Sequence, residues 1–498
     1  LIGEISNERK RIPTAEKDIT VREEFIMLHH NAVVRDGFTN DMDYDAFLKN
    51  KEVMIEDSGF DPEDINPYLF DFQRDIVKWA LRKGKAALFE DTGLGKTIQQ
   101  LAWADAVAKH ENGKVLILAP LAVSKQTAKE ASKFGIDCTL CESDADVKDG
   151  VNITNYEKIH HFDTDQFCGV VLDESSILKS YAGKTTSEMI NRFRFTKYKL
   201  ACTATPSPND FTELGNHAEF LNVMTMNEML SMYFINDSSN GIGWRLKGHS
   251  VHEFFKWIAE WAIMIRNPSD LGFDGTKYHL PKLNIKNIVT ESPTPEGMLF
   301  AMPAETLQER RQARKESLHI RANEAVRIVK QFPDDQFIIW CNYNDESAYL
   351  KEHVPDGYEV KGSDTEEHKE YGMIGFANKD VKRLISKPSI CGFGMNWQNC
   401  HQMIFCGLSD SYEQFYQAIR RCYRFGQTEE VNVYVITSEA ESNILNNIKA
   451  KQARHDQMSA EMLKVINAVT KERLYALKFE HSNYRPQKTM TTPSWLGE

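Results

Sequence analysis

The stretch Glu90-Asp91-Thr92-Gly93-Leu94-Gly95-Lys96-Thr97 decides how this chain is read. It follows the apolar run Ala86-Ala87-Leu88-Phe89 and opens a helical pattern from Ile98 to Val107. Such a stretch is a turn between a strand and a helix. Glycines let the backbone curl until its N–H groups converge, and a helix N-terminus adds partial positive charge at the same point. Thr92, Gly93, Leu94 and Gly95 would then supply backbone to an anionic ligand, Lys96 would reach the outer phosphates and the Thr97 hydroxyl would ligate magnesium. Glu90 stands where the usual phosphate-loop pattern has its first glycine. Taken alone, the stretch therefore also fits a glycine-rich surface turn.

Composition sets the frame around it. A chain of 498 residues exceeds what one core supports, which predicts roughly two to four domains. With 41% hydrophobic and 27% charged residues it is neither collagenous nor disordered. No run approaches the ~18 apolar residues of a spanning helix, and no signal-peptide pattern opens the sequence. A cytoplasmic protein without membrane contact is expected. The nine cysteines are scattered, and Cys138-x-x-Cys141 has no second pair to complete a zinc site, so reduced structural thiols are expected. A net charge of -12 excludes a histone-like binder. Any nucleic-acid contact has to come from a local groove.

Residues 1–65 read as a charged, mostly helical extension in which Arg9-Lys10-Arg11 fits a solvated edge. At Asn66-Pro67-Tyr68 the chain turns into an amphipathic helix that starts near Gln73. An amide offers both donor and acceptor, which suits the edge of adenine. Beyond the loop, apolar runs alternate with helical patterns, as in a parallel sheet wrapped by helices. Candidate strands are Val115 to Ala119, Val151 to Thr154, Cys168 to Leu172 and Leu200 to Thr203. The third ends in Asp173-Glu174, at the strand edge where such sheets bind ligands. Asp173 can hold magnesium through water while Glu174 activates the attacking water.

These residues belong to an ordered series. Gly93 to Thr97, Ala119-Pro120-Leu121, Ile153-Thr154-Asn155-Tyr156-Glu157, Leu172 to Ser176 with Lys179, and Thr203 to Asn209 resemble the first-lobe motifs of superfamily-two helicases. The series resumes at Ile338 to Cys341, Lys361-Gly362-Ser363, Gly392 to Asn396, and Gln417-Ala418-Ile419-Arg420-Arg421-Cys422-Tyr423-Arg424-Phe425-Gly426-Gln427. That last run is most similar to the Swi/Snf-related ATP-dependent DNA translocases, in a compact form of bacterial or phage type.

The resemblance implies an α/β fold of two RecA-like parallel-sheet lobes in tandem with helical insertions. Lobe 1 would span 66–222, a helical or irregular inter-lobe region 223–335, lobe 2 336–437, and a trailing helix and tail 438–498. It implies ATP and Mg2+ as cofactors. Gln73 would recognise adenine, Gly394 would join the nucleotide site from lobe 2, and Glu174, Gln417, Arg421 and Arg424 would be catalytic, the arginines as fingers. Pro120, Thr154, Asn155, Tyr156, Lys179, Lys361, Gly362, Ser363 and Asn396 would contact duplex DNA without sequence preference.

Departures from the family pattern are equally specific. Ser175-Ser176 stands where relatives often carry Ala-His, so coupling from the nucleotide site to Thr203-Ala204-Thr205 would use a hydroxyl instead of an imidazole. Gly407-Leu408-Ser409-Asp410 replaces a Trp-Asn-Pro turn, which affects DNA contact more than hydrolysis. The aromatic stripe Phe254 to Ala262 reads as core packing, and the cluster Arg310, Arg311, Arg314 and Lys315 as a solvated helix face.

The expected activity is a monomeric, DNA-stimulated ATPase that moves on duplex DNA and remodels DNA or a DNA-bound protein, in replication or repair among other settings. A strand-separating helicase on DNA or RNA is the alternative within the enzyme class. An ATP-gated DNA-binding scaffold is the alternative outside it.

Overall fold

The computed structural model describes residues 55–179, 183–208, 210–237, 243–291, 307–391, 395–409 and 411–441, with scattered positions between 452 and 471. Most of the N-terminal extension and the C-terminal tail therefore lie outside the described residues.

Two all-parallel sheets organise the chain. The first has the order β3-β4-β2-β5-β6-β1-β9, with β1 Lys85–Glu90, β2 Lys114–Ala119, β3 Cys138–Leu140, β4 Gly150–Asn155, β5 Phe167–Asp173, β6 Tyr198–Thr203 and β9 Ala262–Ile265. The second has the order β10-β15-β14-β11-β13-β12, with β10 Leu283–Thr290, β11 Phe337–Trp340, β12 Gly357–Val360, β13 Arg383–Ser386, β14 Gln402–Cys406 and β15 Val431–Ser438. A small hairpin, β7 Phe234–Asn236 with β8 Trp244–Leu246, stands apart from both. Each sheet is one RecA-like lobe.

The strands form where the sequence is apolar on both faces. β1 and β2 carry five consecutive buried residues each after a half-buried lysine, as strands covered by helices on both sides require. Helix Asp71–Lys83 lays Ile76, Val77, Ala80 and Leu81 against the first sheet and stops at Gly84, whose φ of 72° suits glycine. The aromatic stripe covers the first lobe from another helix, Val251–Ala259. Phe254, Phe255, Trp257 and Trp261 are all buried there, in keeping with core packing.

The stretch 223–335, read as helical or irregular, does more than connect lobes. It gives β9 to the first sheet, paired with β1, and β10 to the second, paired with β15 over eight registered positions from Leu283 to Thr290. Its helix Leu318–Gln331 buries Ala322, Ala325 and Val329 on the second sheet. In the basic cluster Arg311 and Lys315 are exposed, as a solvated face requires, but Arg314 is not. Arg314 is 6% exposed and donates to the Leu408 carbonyl at 3.0 Å, because the helix carrying it packs down on the lobe.

Candidate nucleotide site between the two lobes

The glycine-rich loop leaves β1 and enters helix Lys96–Glu111 through Gly95 at a left-handed φ of 82°. A Cβ at Gly95 would sit 2.3 Å from Gln73 Nε2, and one at Gly93, φ 92°, would sit 2.9 Å from the backbone nitrogen of Phe425. Both positions therefore require glycine. Lys96 Nζ donates to the carbonyls of Glu90 at 2.7 Å and Asp91 at 3.1 Å, so the ammonium is held at the mouth of the loop.

β5 ends beside this loop. The Asp173 carboxylate accepts from Gln100 Nε2 at 2.8 Å, and burial pushes its pKa up to about 6. Glu174 sits at a left-handed φ of 57°, uncommon for a non-glycine residue. Its Oε1 accepts from Ser176 Oγ at 2.9 Å and Thr203 Oγ1 at 2.7 Å. Thr203 Oγ1 in turn accepts the Thr205 N–H at 3.0 Å. Acid and threonine motif are thus joined by hydroxyls. A buried imidazole is present too, but on a different residue. His217, from helix Leu214–Phe220, lies 3.1 Å from Ser175 Oγ, and burial holds it neutral with a pKa near 4.

The second lobe supplies helix Tyr412–Ile419 and the turn that follows it. Arg421 donates to the Gln417 side chain and carbonyl, both at 3.1 Å, and to the Met395 carbonyl at 3.3 Å. Arg424 donates to Asn396 Oδ1, and its Nε has no partner among the described residues. Burial pulls both guanidinium groups down to about 10, so they remain charged at neutral pH. Their hydrogen-bond acceptors are neutral oxygens. Two desolvated cations of this kind form a site for an anion.

Both halves face one space. Thr92, Gly93, Gly95, Lys96, Thr97, Pro120, Asp173 and Glu174 from lobe 1, with Asn396, Gln417, Arg421, Arg424 and Phe425 from lobe 2, line one solvent-open cleft. Leu94 is buried beneath it. The donor set fits magnesium. Among the described residues no three metal-ligating side chains cluster, and this ion needs only one or two protein oxygens when phosphates and water complete its shell. Thr97 and Asp173, which both line the cleft, would supply those oxygens.

Several residues stand elsewhere than the sequence reading placed them. Gln73 is buried and absent from the cleft lining. Its Oε1 accepts the Phe70 N–H at 2.9 Å and its Nε2 donates to the Leu94 carbonyl at 2.8 Å, so it fastens a helix to the loop. Pro120 and Asn396 line the same cleft as the phosphate loop. Thr154, Asn155 and Tyr156 are buried, and Tyr156 Oη donates to the Asp173 carbonyl at 2.7 Å. Lys179 is paired with Glu413 of the second lobe and Lys361 with Glu359 at 3.0 Å. Gly362 and Ser363 are exposed, and Gly394 lies outside the described residues. Sequence reasoning missed Gln100, His217 and the Asp91 contacts described below. Their polarity was visible, but not their partners.

Residues 72–236 match the family model for the SNF2-related domain, and residues 321–426 match the helicase conserved C-terminal domain. The chain belongs to the SNF2-related, helicase-like proteins. Membership implies ATP as the nucleotide. A similar SNF2-related protein is the Drosophila melanogaster SWI/SNF-related matrix-associated actin-dependent regulator of chromatin subfamily A-like protein 1, 24% identical over 428 residues. The match covers 77% of this chain and 55% of that protein, so the chain spans about half its length. The uncharacterized ATP-dependent helicase YqhH of Bacillus subtilis (strain 168) is 22% identical over 455 residues, 78% of each chain. A solved structure, the Sulfolobus solfataricus SWI2/SNF2 ATPase core in complex with dsDNA, aligns at 19% identity and a TM-score of 0.39 over 84% of this chain and 97% of that one.

Proposed function

We propose that the protein hydrolyses ATP in the inter-lobe cleft and couples hydrolysis to movement along duplex DNA. The carrying observation is that Lys96, Thr97, Asp173 and Glu174 share one cleft with Arg421 and Arg424 of the other lobe. Neither lobe contains a complete site, so turnover depends on closure. Lys96 and the loop N–H groups bind the phosphates, and Thr97 and Asp173 would hold magnesium, which supplies charge neutralisation to the phosphate chain. Glu174 takes the proton of the attacking water on the oxygen that the two hydroxyls leave free. Arg421 and Arg424 stabilise the charge that develops on the transferring phosphate.

Closing and reopening along a bound strand is the motion such a pair of lobes offers for translocation. Duplex DNA as track, a DNA-bound protein as cargo and a monomer in the cytoplasm complete the reading. The two predicted DNA cations, Lys179 and Lys361, are already carboxylate-paired. Grip through backbone, amide and hydroxyl donors fits binding that ignores base sequence.

Strand displacement on forked and blunt duplexes, run beside displacement of a third strand from a triplex, tests the proposal. Third-strand release with the plain duplex left intact is expected. Efficient unwinding of the fork would make the protein a helicase, and ATP-dependent binding with no displacement of any kind would make it a scaffold.

A further inference from the structure

Asp91 is an anion in the loop that is to hold anions. Its backbone carbonyl faces Lys96, yet its carboxylate is satisfied chiefly by the second lobe. Oδ2 accepts from Arg420 Nη2 at 2.8 Å. Oδ1 accepts from Tyr416 Oη at 2.8 Å and from the Thr92 N–H at 2.6 Å. Arg420 lies over the rings of Tyr416 and Tyr423, at 5.0 and 5.5 Å from their centres. Burial works against the charge on Asp91, but Arg420 and then Tyr416 hold its carboxyl below the usual range.

Other ion pairs bridge the lobes away from the phosphate loop, Lys179 to Glu413 with its lysine 42% exposed among them. Lys125 to Glu366 and Lys129 to Glu370 are more than half exposed on both sides, where such pairs contribute little. The Asp91 to Arg420 pair is 14% and 15% exposed, and it abuts the phosphate loop.

A carboxylate beside bound phosphates raises the free energy of the complex unless a cation cancels it. Here the stronger cancelling cation, ahead of Lys96 in the loop itself, belongs to the opposite lobe and sits one residue before Arg421. We propose that Arg420 is a closure-dependent countercharge for Asp91, so that the loop's affinity for nucleotide is high when the lobes meet and falls when they part. Opening then removes the arginine fingers and uncovers a repelling carboxylate in one movement. That ties release of the anionic product to the opening stroke. This rests on the proposed ATP site and adds to it the control of nucleotide affinity.

The proposal gives opposite signs for the two halves of the pair. Binding of a fluorescent ADP is measured for the full chain, with magnesium present, in the original protein, Arg420→Gln, Asp91→Asn and the double variant. Arg420→Gln leaves the carboxylate uncovered and is expected to weaken ADP by about ten-fold. Asp91→Asn leaves the cation unopposed and is expected to tighten it by about ten-fold, the scale of one charge acting across several ångströms of protein. The double variant returns close to the original affinity. Weakening in both single variants, or no change in either, overturns the proposal, because a purely structural bridge has no sign. Asp91→Asn keeps the shape and one acceptor oxygen for Tyr416 and Thr92, while its NH2 replaces the oxygen that faced Arg420, so it removes the charge with little change of volume and decides the matter even if Arg420→Gln does not fold. An original protein that binds neither ADP nor ATP would defeat the nucleotide-site reading itself, a different result from binding that Asp91→Asn weakens.

Discussion

Glu174 shows how a single residue is prepared for chemistry. Its left-handed backbone aims the side chain, and Ser176 and Thr203 both bond the same oxygen. The second oxygen is left for water. Glu174→Gln can still accept both hydroxyls through its amide oxygen, but it then presents an NH2 group that cannot take a proton. ATP binding is expected to survive while turnover falls by at least ~100-fold, as checked by nucleotide binding and single-turnover hydrolysis. Near-normal turnover would remove Glu174 from the role. Glu90 makes a second prediction, about stability. It is fully buried at the end of β1, one oxygen has no partner among the described residues, and burial raises its pKa from 4.5 to about 7 against the pull of Lys96 and Gln99. Between those two values the folded protein binds more protons than the unfolded chain, so this group lowers stability as pH rises from 4.5 through 7. Glu90→Gln is expected to remove that loss, up to about 3 kcal/mol. Melting temperatures of the two proteins should diverge from pH 5 to pH 8, and parallel profiles would show that Glu90 does not titrate as described.

At the scale of elements, what could be read in the sequence depends on whether the signal was local. The runs at 115–119, 151–154, 168–172 and 200–203 fall within β2, β4, β5 and β6, because central parallel strands must be apolar on both faces. β10 was not legible. It is an edge strand with Val289 57% exposed, so its pattern is broken by polar residues, and β9 merges into the aromatic stripe before it. The phosphate loop was legible because glycine and lysine at fixed offsets carry their own geometry. Gln73 shows the opposite case. Spacing placed it near the loop, but only the fold reveals that its amide is engaged by Phe70 and Leu94. The pairing of Lys179 with Glu413 across the lobes is likewise invisible in sequence. Helix Tyr412–Ile419 and the turn after it carry the decisive second-lobe groups. Arg421→Ala or Arg424→Ala should lower turnover by something on the order of 10³ with DNA affinity little changed. Weaker DNA binding with intact turnover of the bound complex would make these DNA-contact arginines instead.

In the whole molecule, each of the two lobes holds half of a site. Lobe 1 carries the loop and the acids, and lobe 2 carries the guanidinium groups. A DNA track that favours the closed arrangement would therefore raise turnover without entering the cleft, which is coupling in the thermodynamic sense. With a net charge of -12, the response should not follow from general attraction to polyanions, since RNA and single strands offer the same phosphates. The most direct measurement is steady-state ATP hydrolysis by the full chain with no nucleic acid, single-stranded DNA, duplex DNA of unrelated sequences, and RNA. Low turnover alone and strong stimulation by every duplex DNA, well above that by single strands or RNA, are expected. Stimulation by RNA or single strands in place of duplex would contradict that expectation, as would turnover that no nucleic acid changes.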